Sequence, residues 1–204
     1  MLFIVIEGLD GSGKTTAARL LQERFALAGM PCLPTFEPTR SDIGELIHGV
    51  LSRKIEGMDN TTMALLFAAD RFHHLQSEIV PALAHSHVIC DRYYYSSMAY
   101  QGFDADSIEK VVTYNAAAIE LRRPDIVFFL DVTPEESVRR IAARGEELSI
   151  FETLPKLSHM QQRFSVAIER MRKSDNIVEI DTSIKNAEQV AAQMWDCIVK
   201  LLGT

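Results

Sequence analysis

Apolar residues fall along this chain in short runs separated by longer amphipathic stretches. The runs at 2–6, 32–36, 86–90, 126–131 and 176–180 have the length and composition of buried strands. Helix-forming stretches between them predict helices at 14–28, 42–52, 61–81, 105–122, 134–143, 150–173 and 186–202. Leu20, Leu21, Phe25 and Leu27 are the expected buried stripe of the first helix. Pro38, Pro81, Pro124, Pro134 and Pro155 stand at or near segment boundaries, as their missing N–H requires. Thr133-Pro134-Glu135-Glu136 reads as a helix start, with Thr133 as cap and Pro134 in the first turn. Strands alternating with helices predict an α/β fold: a five-stranded parallel sheet with helices on both faces. There is no repeat, low-complexity tract or linker, so 1–204 is expected to be a single domain. The polar stretch RGEELSI at 144–150 is the candidate for a short flap or lid.

The break after the first apolar run carries the first chemistry. Gly8-Leu9-Asp10-Gly11-Ser12-Gly13-Lys14-Thr15 is a complete phosphate-binding loop between a predicted strand and a predicted helix. Its glycines let successive backbone N–H groups turn toward an anion, and the following helix start adds its positive end. Lys14 can reach β- and γ-phosphates, and the Thr15 hydroxyl can ligate magnesium. Residues 8–15 with Thr16 are the expected nucleotide-binding set, for a nucleoside triphosphate.

Composition narrows the partners. A net charge of −7 argues against a broad nucleic-acid surface, while leaving room for a local cationic pocket. Cys32, Cys90 and Cys197 are odd in number and widely spaced, without zinc spacing or a disulfide framework, so a reducing cytosol is expected. Cys90 reads as a small buried hydrophobe. The N-terminus lacks a signal-like charged region and cleavage site, and no run is long enough to span a membrane.

Two further pairs can be read from residue type. His87-Val88-Ile89-Cys90 is strand-like and ends on Asp91, a position suited to holding magnesium beside a phosphate loop. Arg92 follows at the carboxyl edge of the sheet, where its fork suits a phosphate dianion. Phe67 and Arg71 lie four residues apart on one predicted helix, so an aromatic face and a donor fork share one side. The adjacent His73-His74 has no carboxylate or thiol at metal-ligand spacing and reads as a solvated or hydrogen-bonded pair. Met160, Met171 and Met194 read as packing residues.

Glu37-Pro38-Thr39, Leu66-Phe67-Ala68-Ala69-Asp70-Arg71, Asp91-Arg92-Tyr93, Ser96-Ser97-Met98-Ala99-Tyr100-Gln101-Gly102 and Arg144-Gly145-Glu146 occur in this order after the phosphate loop. In that order and spacing the chain resembles the thymidylate kinase family of P-loop nucleoside monophosphate kinases, from residue 3 to about 182. The resemblance implies a P-loop kinase fold with a lid near 144–150, ATP as phosphoryl donor, Mg²⁺ held near Thr15 and Asp91, dTMP as acceptor, and a homodimer. It also implies that Arg92 grips the acceptor phosphate, that Phe67 stacks on the base, and that Arg71 donates to thymine O4. Ser97 then stands near the base edge, Tyr100 where a ribose 2′-OH would sit, and Gln101 in the same cleft. Glu37 and Pro38 border the acceptor, and Asp10 accepts from its 3′-OH or orders a magnesium-bound water. Of the three consecutive tyrosines, Tyr93 is assigned to the site, and Tyr94 and Tyr95 to packing.

The chain departs from the pattern in two places. Phe36, not arginine, precedes Glu37, and Arg40 is the candidate replacement for that charge. Some members carry a catalytic arginine in the phosphate loop, where this chain has Gly11. Others carry it in the lid, where the matching segment here is RRIAARG at 139–145, without the further Asp-Arg. Arg144 is therefore the first candidate and Arg140 the second. Two alternatives stay open: another P-loop nucleotide or deoxynucleoside kinase, for which Glu7 would be the candidate base, or a non-catalytic nucleotide-binding regulator. An Asn-Lys-x-Asp guanine motif is absent.

Overall fold

The computed structural model describes residues 1–143 and 153–203. Five strands, β1 (Phe3–Gly8), β2 (Cys32–Phe36), β3 (His87–Asp91), β4 (Ile126–Asp131) and β5 (Ile177–Asp181), form an all-parallel sheet in the order β2-β3-β1-β4-β5. The helices are α1 (Lys14–Leu27), α2 (Asp42–Leu51), α3 (Asn60–His74), α4 (Val80–Ala82), α5 (Tyr94–Gln101), α6 (Ala105–Tyr114), α7 (Ala116–Leu121), α8 (Pro134–Ala142), α9 (Leu154–Met171) and α10 (Ala187–Leu202).

Strand alternation divides the core in two. Ile4, Ile6, Ile89, Phe128 and Leu130 pack with Leu21 and Phe25 of α1 and Met194 and Ile198 of α10. Phe3, Val5, Val88, Cys90 and Phe129 face the other way, onto α5, α6 and α9. Both faces of the sheet are covered, and its central strands β1 and β4 are apolar up to their carboxyl ends, Glu7 and Asp131, because neither face meets water. Cys90 is buried as expected, and so are Met160, Met171 and Met194.

Four expectations are corrected. Leu27 is 89% exposed, because the buried stripe of α1 runs through Ala17, Leu20, Leu21 and Phe25 and Leu27 lies off that face. The stretch 61–81 is not one α-helix: a π-helical turn, Leu75–Ile79, joins α3 to α4, next to Pro81, which has no N–H for the helical ladder. The stretch 105–122 breaks at Asn115, which ends α6 and starts α7. Helix α5 was not expected, since Tyr, Ser and Tyr-rich sequence is indifferent helix former. Among the described residues no helix is long and apolar enough to cross a membrane.

Candidate active site

The phosphate loop lies between β1 and α1, at the carboxyl edge of the central strand. Gly8 is required by its surroundings: its φ is +146°, and a Cβ there would meet the Leu130 carbonyl oxygen at 2.5 Å. Gly13 caps α1 with φ 94°. Lys14 is buried and donates from Nζ to the carbonyls of Gly8 and Leu9, at 3.0 and 2.8 Å. Burial, and then the Arg92 charge, bring its pKa down to about 8. Thr15 Oγ1 donates to Asp91 Oδ2 at 3.0 Å, while Asp91 Oδ1 and Ser12 Oγ are buried with no partner. A hydroxyl beside a carboxylate with one unpaired buried oxygen is a donor set that fits a hard divalent cation and its water.

Arg92 leaves β3 with φ 74°, a left-handed conformation that is costly for a side chain and concentrates at functional sites. Its guanidinium bonds Asp10 and donates to Ser96 Oγ at 3.1 Å, and it lies 5.4 Å from the centre of the Tyr100 ring. Tyr100 in turn donates to Asp10 Oδ2 at 3.1 Å. Asp10, Arg92 and Tyr100 thus form one cluster, which sits between two connected openings. One is a cleft of about 560 Å³ lined by Lys14, Thr15, Thr16, Asp91 and Gly11. The other is a cavity of about 590 Å³ lined by Phe67, Arg71, Ser96, Ser97, Tyr100 and Gln101. Asp10, Glu37, Pro38 and Arg92 border both.

Arg71 is 1% exposed, and its fork is held on three sides. Nε donates to Glu37 Oε2 at 2.7 Å, and one terminal nitrogen donates to Ser97 Oγ at 3.1 Å and to Asn115 Oδ1 at 2.5 Å. The face of the guanidinium rests 5.3 Å from the Tyr93 ring centre. Among the described residues the other terminal nitrogen has no protein acceptor, and Arg71 lines the cavity.

Several readings change here. Tyr93 does not line either opening; it is buried beneath Arg71, and its hydroxyl donates to the Arg122 carbonyl. Tyr94 and Tyr95 are packing residues, as expected, and both hydroxyls bond Asp175. His74 is buried, 2.8 Å from Thr35 Oγ1 and 3.2 Å from Glu37 Oε1. Contrary to expectation a carboxylate and a thiol do approach it: candidate ligand atoms of Glu37, His74 and Cys90 lie within 4.8 Å of one another. Each is already engaged, since Cys90 donates to the Arg92 carbonyl and burial pushes its thiol well above the ordinary range. Arg40 is exposed, pairs with Glu45 and lines neither opening. Arg140 is spent on Glu136, the Gly11 carbonyl and the Thr182 carbonyl, bracing the phosphate loop against the end of β5. Arg144 and the whole lid candidate, 144–150, lie outside the described residues.

Glu7 is fully buried, and its pKa is raised by burial against the pull of its hydrogen bonds and Arg92. Its carboxylate accepts from Tyr93 N at 2.6 Å, Ser96 N at 3.1 Å and Ser96 Oγ at 2.7 Å. Tyr93 immediately precedes α5 and Ser96 lies in its first turn, so Glu7 caps that helix from β1.

Two residues that brace this cavity were missed. Asn115 was read as an ordinary helical position, although an asparagine within an apolar-periodic stretch is a signal of a break or a buried bond. Asp70 is buried and accepts from Thr39 N, Thr39 Oγ1 and Ser41 Oγ, which pins the segment after β2 to α3. Its partners are about 30 residues away, and no local pattern marks them.

A parallel sheet, a phosphate loop with its lysine, and an arginine-lined cavity beside it define a P-loop phosphotransferase fold. The chain matches the family described as thymidylate kinase over residues 6–193. It is 40% identical over 192 residues to a probable thymidylate kinase of Pyrococcus abyssi, covering 92% of each chain. It is 40% identical to a probable thymidylate kinase of Methanocaldococcus jannaschii, covering 93% of this chain and 91% of that one. A thymidylate kinase of Shouchella clausii is 38% identical over 210 residues, covering 100% of this chain and 97% of its own. This chain belongs to the thymidylate kinase family.

Proposed function

We propose that this chain transfers the γ-phosphoryl group of ATP to dTMP, giving dTDP and ADP. The observation that carries the reading is Arg71: three protein acceptors hold its fork, and one terminal nitrogen is left for a ligand in a cavity that Phe67 also lines. Arg71 donates to the base carbonyl, Phe67 packs on the ring, and Ser97, Gln101, Glu37 and Pro38 complete the pocket. Tyr100 closes the 2′ side of the sugar, and Asp10 takes its 3′-OH. Arg92 holds the acceptor phosphate.

That phosphate is the nucleophile. Its second proton is lost near pH 6, so an oxygen is already anionic and no general base is needed. The oxygen forms the new bond to Pγ as the bond from Pγ to the β-phosphate bridging oxygen breaks, and ADP leaves with that electron pair. What the protein supplies is alignment and charge. The loop amides of residues 8–16 and Lys14 hold the donor phosphates. Thr15 and Asp91 would hold Mg²⁺, which would supply positive charge for the donor phosphates; the unpaired Asp91 oxygen supports this assignment. Arg144 supplies the late cation to the transferring group. The engagement of Arg140 favours Arg144 over it.

A nucleoside kinase would need a base for a 5′-hydroxyl. Glu7 is a poor one, because both its oxygens are occupied by α5 and it lines neither opening. We further propose one P-loop kinase domain over 1–204 with a lid near 144–150, acting in the cytoplasm as a homodimer. Half-exposed Leu51 on α2 and Leu65 on α3 support such an interface. A coupled assay of MgATP with dTMP, dCMP, dGMP and AMP tests the reaction. dTMP is expected to be much the fastest acceptor, and comparable rates on a purine monophosphate would refute the pocket assignment.

A further inference from the structure

Arg71 is aimed by Glu37, and Glu37 is in turn held by His74. Of the three protein acceptors on the Arg71 fork, Ser97 and Asn115 share one terminal nitrogen, so Glu37 alone holds Nε. The Glu37 main chain is tied to β3, where its N–H donates to the Asp91 carbonyl at 3.0 Å. Its carboxylate is buried, with Oε2 on Arg71 and Oε1 3.2 Å from His74 Nδ1. Among the described residues Oε1 has no other donor, because the nearby Cys90 thiol donates to the Arg92 carbonyl instead. Without the imidazole, Oε1 becomes a buried acceptor lacking a donor, and the carboxylate gains by turning away from Arg71 Nε.

His74 is held so that it can do this in any charge state. It is the last residue of α3, three residues after Arg71, and it is 2% exposed. A carboxylate only accepts, so Nδ1 carries a proton whether the ring is neutral or charged. Nε2 lies 2.8 Å from Thr35 Oγ1 on β2 and 3.3 Å from Glu78 Oε2 in the π-helical turn. A neutral ring accepts there from the Thr35 hydroxyl, and a charged ring donates to Thr35 or Glu78. Both ring nitrogens are engaged, which fixes the plane of the imidazole between β2 and Glu37. His73, one residue earlier, is exposed.

We propose that His74 is a positioning residue for acceptor recognition: it clamps Glu37, so that Arg71 keeps its remaining terminal nitrogen aimed into the cavity at the acceptor base. This rests on the dTMP reading above, since that ligand is what the aim serves. His74 lines neither opening, so it acts through Glu37 and Arg71 and not by touching a nucleotide. Its loss weakens the grip on the acceptor and leaves the donor side and the transfer step alone.

Asparagine and glutamine divide the imidazole between them. His74→Asn places an N–H where Nδ1 stands and gives up Thr35, whereas His74→Gln reaches Thr35 and gives up Glu37. His74→Gln is expected to raise the KM for dTMP by about tenfold, with kcat and the KM for MgATP close to wild type. His74→Asn is expected to keep the wild-type KM for dTMP, and His73→Gln to change none of these. Nucleotide-free protein gives a second readout. By heteronuclear NMR the Arg71 Nε–H is expected to exchange with water about tenfold faster in His74→Gln than in wild type, and no faster in His74→Asn. A wild-type KM for dTMP in His74→Gln overturns the proposal. So does an equal rise in both His74 variants, which would mark a packing residue. Where His74→Gln does not fold, His74→Asn decides, and a rise of about tenfold in its KM overturns the proposal. If wild type does not use dTMP, the functional reading falls by itself, and the exchange contrast decides the clamp: equal exchange in wild type and His74→Gln overturns it.

Discussion

The phosphate loop and the cavity beside it, both bordered by Asp10 and Arg92, are built in opposite ways. The loop is eight consecutive residues whose working groups are backbone N–H groups, one lysine and one hydroxyl. Its shape comes from glycine conformation and from the strand and helix on either side. The cavity draws on the segment after β2, on α3, α5 and α9, and on Asn115 between α6 and α7. Its working groups are side chains, each oriented by another side chain: Glu37, Ser97 and Asn115 hold Arg71, and Asp10 joins Arg92 to Tyr100. Backbone-built recognition tolerates neighbouring substitutions and reads phosphate generically. Side-chain recognition is selective, and it is vulnerable at residues that never touch the ligand.

The largest expected effect tests the boundary between the two regions. If Arg144 is the late cation, Arg144→Ala should lower kcat by about 10³-fold or more while leaving dTMP affinity nearly unchanged. Stopped-flow turnover beside calorimetric dTMP binding checks the split, and a near wild-type kcat would remove Arg144 from the mechanism. Next comes selectivity on the acceptor side. Arg71→Ala should weaken dTMP binding by about 1.5–3 kcal/mol, the range for a charge-assisted hydrogen bond, with little change in ATP binding. Equal losses for both nucleotides would mean that the two regions are not separable in this way.

The third prediction concerns a residue outside the ligand's reach. Asn115→Leu removes one of the three holds on Arg71 and should raise the KM for dTMP by about tenfold with kcat less affected. The dTMP-over-dCMP preference should narrow at the same time. A lowered melting temperature with unaltered KM and preference would make Asn115 a packing residue only.

The smallest effect belongs to the loop. Lys14, with its pKa brought down to about 8, is charged below that value and becomes neutral as pH rises through it. The nucleotide-free fold disfavours the charged form, so the cost of burying charged Lys14 is full below about pH 8 and is relieved as pH rises from about 8 to the ordinary lysine value of 10.5, a window over which stability should rise. MgATP needs the ammonium, so its affinity should fall as pH rises, by about tenfold at pH 9 relative to pH 7. dTMP affinity should not follow that titration. A flat ATP profile in this range would place the Lys14 pKa higher.

The contrast also explains what could be read without coordinates. The five strands and most helices follow from local apolar periodicity, and the phosphate loop from eight contiguous residues, because both signals are carried by neighbours in the chain. Phe67 and Arg71 share a helical face that spacing alone makes visible. Helix α5 was hidden because its cap is Glu7, more than eighty residues earlier, and no local residue announces it. Tyr93 was misassigned because a tyrosine next to a site arginine looks the same whether it faces a ligand or lies beneath the guanidinium. Asn115 and Asp70 were hidden because each acts on a partner about thirty or more residues away.

The sequence by itself determined that this chain is an α/β fold with a triphosphate loop, and which motifs tie it to its family, since each of those is a pattern of adjacent residues. The tertiary structure alone decided which polar atoms are held and which are left over. That among the described residues Arg71 keeps one free nitrogen, and Asp91 and Gln101 one free side-chain oxygen each, depends on side chains brought together from distant segments, and hydrogen-bond satisfaction is a property of that packing.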